Sequence, residues 1–180
     1  EFFAILKAPP KVRGQILLNI NRNMWFASPS VRKPVPVSRR QKLVGGASYG
    51  DIASTNYAED YDPTSLQEES VNGEQCYVFD LKANNKDVTY DRIKYWVSKE
   101  RRVGVKAEYF TVSGKKFKSA TFEYNHEIVV NDNPRPFVSK ITIVDSFLKG
   151  NITTMIFSEP ILGKIPDSAF DLNLLLMRTI

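Results

Sequence analysis

The chain has 180 residues, 42% hydrophobic and 12% aromatic, which suits one domain with a sizeable core. A single cysteine, Cys76, excludes an intrachain disulfide, and with a single histidine, His126, a His/Cys metal centre is not expected. The net charge of +5 comes from clusters at Arg32-Lys33, Arg39-Arg40, Lys99 to Arg102 and Lys115-Lys116-Lys118, none within a nucleic-acid module, so no nucleic-acid partner is expected.

In chain order, Phe2 to Lys7 reads as a strand stopped by Pro9-Pro10. Gly14 to Ile20 follows, with Ile16, Leu18 and Ile20 on one face by the two-residue alternation of strands. Asn21-Arg22-Asn23 turns into Met24 to Ser28, where Met24 and Phe26 share a face. Pro29, Pro34 and Pro36 break regular structure. Ser38 is positioned to cap a short helix over Arg39 to Val44 ended by Gly45-Gly46, and a second runs from about Tyr49 or Asp51 to Tyr57, presenting Ile52 and Ala53. Both read as a cover laid over a sheet.

After Pro63 the strand pattern hardly stops. Leu66 to Ser70 meets Gln75 to Lys82 across Asn72-Gly73, a strong hairpin signal. Further strands are expected at Thr89 to Ser98, Val103 to Val112, Lys116 to Ile128, Phe137 to Asp145 and Ile152 to Ser158, with a proline-bearing loop at Asn131 to Pro136. Turns this frequent indicate an antiparallel meander. One helical turn at Pro166 to Phe170 and a last strand over Leu172 to Met177 close the chain. Several strands are apolar on both faces: Tyr77, Phe79 and Leu81 alternate with Cys76 and Val78, and Ile93, Tyr95 and Val97 flank Trp96. A one-sided sheet alternates more cleanly, so part of the second face must be covered, which fits a strongly bent sheet or open barrel.

No catalytic constellation is visible. The carboxylates Glu59-Asp60, Asp62, Glu68-Glu69 and Asp132 read as solvated loop acids. No nucleophile elbow surrounds any serine, and Cys76 among hydrophobic neighbours reads as a small core residue. Gly45-Gly46 with Gly50 lacks phosphate-loop and dinucleotide spacing, so no cofactor is expected.

The run Asn23-Met24-Trp25-Phe26, followed by Pro29-Ser30-Val31-Arg32-Lys33-Pro34, resembles a segment of the outer-membrane lipoprotein-sorting protein family, within the LolA/LolB-like superfamily. Ser38 to Leu43, Gly50-Asp51-Ile52-Ala53, Tyr61-Asp62, Gly73 to Leu81, Tyr95-Trp96-Val97, Ala107 to Phe110, Ser113-Gly114-Lys115 and Pro166 to Phe170 follow in the family's order. The resemblance implies a mainly β fold: an antiparallel open (half) β-barrel with short helices forming a lid over the concave face. It implies a single domain over residues 1–180, with the family's amino-terminal helix and first strands expected before Glu1.

The function so implied is that of a periplasmic, non-enzymatic carrier or chaperone in lipoprotein transport and outer-membrane biogenesis, binding the acyl chains of a lipoprotein or lipid. The candidate lipid-binding face comprises Ile16, Leu18, Ile20, Met24, Phe26, Phe79, Leu81, Tyr95, Tyr109, Phe122, Ile141 and Ile143, with Leu43, Val44 and Ile52 as lid. The alternative is an interaction module docking onto a lipid-exporting inner-membrane transporter through Arg32, Arg39 and Arg40.

Overall fold

A computed structural model describes residues 1–31, 33–53, 55–148 and 150–175. The fold is mainly β, its sheets antiparallel and not closed into a barrel. The chain divides into two compact units, Glu1–Gln41 with Gly163–Ile180, and Lys42–Leu162.

The first unit carries a four-stranded sheet of β1 (Phe2–Ile5), β2 (Ile16–Ile20), β3 (Asn23–Ala27) and β4 (Val35–Val37) in sequential order. The β2–β3 turn places Asn21 and Arg22 at φ of 47° and 69°, the left-handed pair that matches the twist of a two-residue hairpin. Its core joins Ile16, Leu18 and Ala27 to Phe3, Trp25, Phe170 and Leu172. Phe170 ends a 3-10 turn at Asp167–Phe170, as the proline-led motif predicts. Leu172–Leu175 is a helical turn, α3, rather than a strand, and the rest of that expected strand, 176 and 177, lies outside the described residues.

The second unit begins where a helix was expected. Lys42–Val44 is instead a strand, β5, paired with β6 (Ala47–Ser48), and Arg39-Arg40 form a turn in which Ser38 Oγ accepts the Arg40 N–H at 3.2 Å. Six residues ending at a glycine pair offer too few helical hydrogen bonds to offset nucleation, whereas a tight hairpin satisfies the backbone at once. The second expected helix is two single turns, α1 (Tyr49–Ile52) and α2 (Tyr57–Asp60).

A seven-stranded antiparallel sheet follows, in the order β15-β14-β11-β10-β9-β8-β7. Its strands are β7 (Tyr61–Val71), β8 (Glu74–Ala83), β9 (Arg92–Ser98), β10 (Gly104–Phe110), β11 (Lys116–Glu123), β14 (Lys140–Asp145) and β15 (Ile152–Ile156). Gly73 at φ 85° with Asn72 at 51° makes the predicted β7–β8 turn. The expected strand through Ile128 breaks after Glu123, and β12 (His126–Val130) pairs with β13 (Asn133–Phe137) as a separate hairpin. Its turn is Asn131-Asp132, φ 49° and 61°, so the expected proline loop is half turn and half edge strand; Pro134 and Pro136 are tolerated because an edge needs fewer donors.

The acids expected in loops lie partly elsewhere. Asp62, Glu68 and Glu69 belong to β7, one edge of the sheet, and Asp60 is buried, accepting from Asn85 Nδ2 at 3.1 Å. Charged side chains on an edge oppose further strand pairing. The other edge, β15, exposes Ile152 and Ile156 instead.

The outer face of the sheet is covered by its own long side chains. Cys76, Val78, Trp96 and Val105 form a small cluster, and Lys106 and Lys94 lie over the Trp96 ring at 4.1 and 5.2 Å while Trp96 Nε1 donates to Glu69 at 2.8 Å. Lysine stems thus hide apolar surface and leave their ammonium groups in water.

Nearby, Arg101 donates to both oxygens of Glu74, at 2.8 and 2.6 Å. That hydrogen bond, then one from Ser98, holds the Glu74 carboxyl down from the usual 4.5 to about 2. A depressed carboxylate contributes stability that is present above its unfolded pKa and lost as pH falls through the folded one. Urea midpoints should therefore drop between pH 4.5 and 2 more steeply in the native chain than in Arg101→Met; parallel pH profiles would contradict this role.

Candidate functional site

Antiparallel pairing places directly opposed residues on the same face. Through the registers Phe79↔Tyr95, Leu81↔Ile93, Tyr95↔Ala107, Ala107↔Ala120, Ala120↔Ile143 and Phe122↔Ile141, one face of the seven-stranded sheet is continuous and apolar. Seven sequence candidates lie on it: Phe79, Leu81, Tyr95, Tyr109, Phe122, Ile141 and Ile143. The small residues Ala107 and Ala120 run down its middle, and above them is a cavity of about 270 Å3.

Five of those candidates line the cavity (Tyr95, Tyr109, Phe122, Ile141 and Ile143) and Ile52 of α1 reaches it from the lid. Phe79 and Leu81 belong to the same apolar cluster but not to the wall. Leu43 is half-buried on β5, whereas Val44 is 63% exposed. Ile16, Leu18, Ile20, Met24 and Phe26 lie in the first unit and do not share one face there. The pairs Leu18↔Trp25 and Asn19↔Met24 put Met24 and Phe26 opposite to Ile16, Leu18 and Ile20. Arg39 donates to Asn19 Oδ1 at 3.0 Å, Arg40 is exposed, and Arg32 lies outside the described residues.

The lid and the far wall hold residues that alternation alone did not bring forward. Tyr57 of α2 stacks on Tyr95, ring centroids 4.2 Å apart and 16° from parallel. Tyr124, whose hydroxyl donates to the Gly104 carbonyl at 2.8 Å, follows Phe122 by two residues and could have been found by continuing the period past Glu123. Phe137, Val138 and Phe157 complete the far side, and His126 Nε2 is 2.9 Å from the Phe157 carbonyl oxygen.

The main polar feature at the cavity is Asp51. One oxygen accepts the Ser48 N–H at 2.7 Å, closing the first turn of α1, and the same oxygen takes the Lys118 ammonium at 2.6 Å. Its other oxygen accepts from the Tyr90 hydroxyl, which is itself hydrogen-bonded to Lys118. Lys118 is 4% exposed, whereas Lys115 and Lys116 of the same basic cluster are exposed. Burial pushes the Lys118 ammonium below its usual pKa while the Asp51 charge opposes that shift. Burial likewise raises the Tyr90, Tyr109 and Tyr57 phenols well above their ordinary range, which keeps them neutral donors. The trio ties α1 to β11 by a buried charge pair. The helix can lie this close because position 50 is glycine: a Cβ there would meet Thr89 Oγ1 at 1.8 Å.

Among the described residues the lining is mostly apolar, with phenols held neutral and the Asp51 carboxylate paired with Lys118. Among the described residues no group of three His, Cys, Asp or Glu side chains could hold a metal, and Cys76 is fully buried on the outer face. The arrangement can enclose an apolar group.

The crystal structure of a LolA superfamily protein from Nitrosomonas europaea matches this fold with a TM-score of 0.79 at 31% identity, over 95% of this chain and 76% of that one. The chain belongs to the LolA superfamily. The family model described as "Uncharacterized protein" also matches it, over residues 1–176. Two further structures share the fold of this LolA-superfamily chain. An outer membrane lipoprotein-sorting protein domain of Vibrio parahaemolyticus matches at TM-score 0.80 and 20% identity, over 97% of this chain and 76% of that one. A DUF1329 family protein of Desulfovibrio piger matches at TM-score 0.72 and 18% identity, over 96% and 75%. No curated protein matches the chain.

Proposed function

We propose that this chain is a non-enzymatic periplasmic carrier that holds an acyl chain of a lipoprotein or lipid between the apolar sheet face and the lid of α1 and α2. The observation that carries this reading is the cavity itself, walled by Tyr95, Phe122, Ile141 and Ile143 and closed by Ile52 and Tyr57. Hiding a methylene from water is worth about 0.8 kcal/mol, so a long acyl chain rewards an apolar enclosure without any chemistry. At about 270 Å3 the cavity lies just below the roughly 300–1,000 Å3 of ordinary ligand pockets. A full-length chain then requires the lid to lift, and the buried Asp51–Lys118 pair sets how easily it does.

The test is direct. Solvent extracts of protein recovered from a periplasmic preparation are analysed by mass spectrometry, and the purified protein is titrated with a fluorescent fatty acid. The reading expects co-purified lipid and saturable binding that an unlabelled fatty acid displaces. Repeated absence of both would remove it.

A further inference from the structure

We propose that the end of the seven-stranded sheet formed by the β10–β11 and β14–β15 turns is a docking surface for an anionic lipid bilayer. The two turns are neighbours because β11 and β14 are antiparallel partners with Lys118 opposite Asp145, and the Ser146 N–H donates to the Phe117 carbonyl at 2.9 Å. Both tips project apolar side chains into water. Val112 is 79% exposed on one turn, Phe147 and Leu148 are 52% and 55% exposed on the other, and Ile152 beside them is 59% exposed.

The amide groups that carry Phe147 and Leu148 are already paired. Asp145 Oδ1 accepts the N–H groups of Phe147 and Leu148 at 2.8 and 3.1 Å, and the Asn151 N–H donates to the Leu148 carbonyl at 3.0 Å. With those amides paired, the two apolar side chains enter the interfacial region of a bilayer at a lower desolvation cost. Those two N–H bonds also hold the Asp145 carboxyl below its usual range, with smaller help from Lys42 and Lys118, so this acid at the root of the β14–β15 turn is locally compensated.

The cation that selects the partner is Lys115. Its Nζ sits 4.5 Å over the Phe147 ring and has no carboxylate partner among the described residues, whereas neighbouring Lys116 pairs with Glu108 at 3.3 Å. An aromatic ring under a free ammonium, flanked by aliphatic tips, matches the headgroup boundary, where rings and lysine stems bury and charges meet lipid phosphate. The net charge of +5 adds long-range attraction to an anionic surface. A handful of side chains on two turn tips is too small for a stable protein interface, which takes about 800 Å2 from each partner. The surface lies outside the cavity wall and stands whether or not the cavity carries lipid.

The experiment is co-sedimentation of the whole chain with vesicles of phosphatidylcholine alone or mixed equally with phosphatidylglycerol. It reads protein in the pellet rather than lipid taken up. Binding is expected to the mixed vesicles and to weaken with added salt. Phe147→Ser with Leu148→Ser should lower the partition coefficient by roughly tenfold, and Lys115→Gln by roughly fivefold. These positions are exposed, so thermal melts should match the native chain and exclude misfolding as the cause. The proposal fails if the native chain stays in the supernatant with mixed vesicles, or if the double variant pellets like the native chain. It fails equally if those substitutions abolish self-association on size exclusion without changing vesicle binding.

Discussion

Lys118→Met is expected to lower the stability of this protein by about 3–5 kcal/mol, more than any exposed charge change could. The substitution keeps the length and much of the volume of the side chain, so the loss does not come from a cavity. It comes from Asp51, whose side chain is 9% exposed and whose charge would remain buried without its cation. For a chain of 180 residues the melting temperature should fall by roughly 10 °C. Pairing Lys118→Met with Asp51→Asn should recover most of this, because the neutral amide keeps its oxygen as acceptor for the Ser48 N–H and turns its NH2 to the Tyr90 hydroxyl, leaving no unpaired charge. Denaturant midpoints of the native, single and double variants decide the matter. A single variant within about 1 kcal/mol of native would mean that the pair does not hold α1 against the sheet.

The second large effect separates packing from ligand binding at one position. Ile143 is 1% exposed, opposes Ala120 across the sheet, lines the cavity, and would lie 3.3 Å from a Cβ added at Gly46 of the β5–β6 hairpin. Ile143→Ala should destabilise by about 3 kcal/mol through lost burial and a larger void. Affinity should move the other way for long probes, since the enlarged cavity admits more of an acyl chain. Measured against a ladder of fatty-acid lengths, the variant should shift its preference toward longer chains. A stability loss with unchanged length preference would make Ile143 a plain core residue.

What alternation and turn chemistry can reveal, they revealed here. Asn72-Gly73 and Asn21-Arg22 lie in the turns their residue types indicate, the two-residue period pairs Phe79 with Leu81 and Ile93 with Tyr95, and the register sets Phe79, Leu81, Tyr95, Tyr109, Phe122, Ile141 and Ile143 on one face of the sheet. Periodicity is local, however, and does not report which face of one hairpin strand matches which of the next. Ile16, Leu18 and Ile20 were therefore grouped with Met24 and Phe26, although the register sets them on opposite sides.

Lys118 escaped for a related reason. Lys116 and Lys118 share a parity and should share a face, but the register shifts at Tyr109/Phe110, so Phe110 opposes Lys116 while Tyr109 opposes Lys118. That bulge turns Lys116 toward Glu108 on the outer face and Lys118 toward Asp51 on the cavity face. A bulge leaves no mark in residue composition. The strand at Lys42–Val44 was missed because its partner is its immediate neighbour, and so short a pattern fits a helix turn equally well.

The unlike margins of the seven-stranded sheet limit how copies of it could add to one another. Glu68 and Glu69 on β7 repel a second β7, while β15, bearing Ile152 and Ile156, presents an open ladder among the described residues. Strand addition is thus available on one side only. Two copies meeting β15 to β15 would consume the receptive edge of this sheet in each, so association through the seven-stranded sheet closes at a symmetric pair.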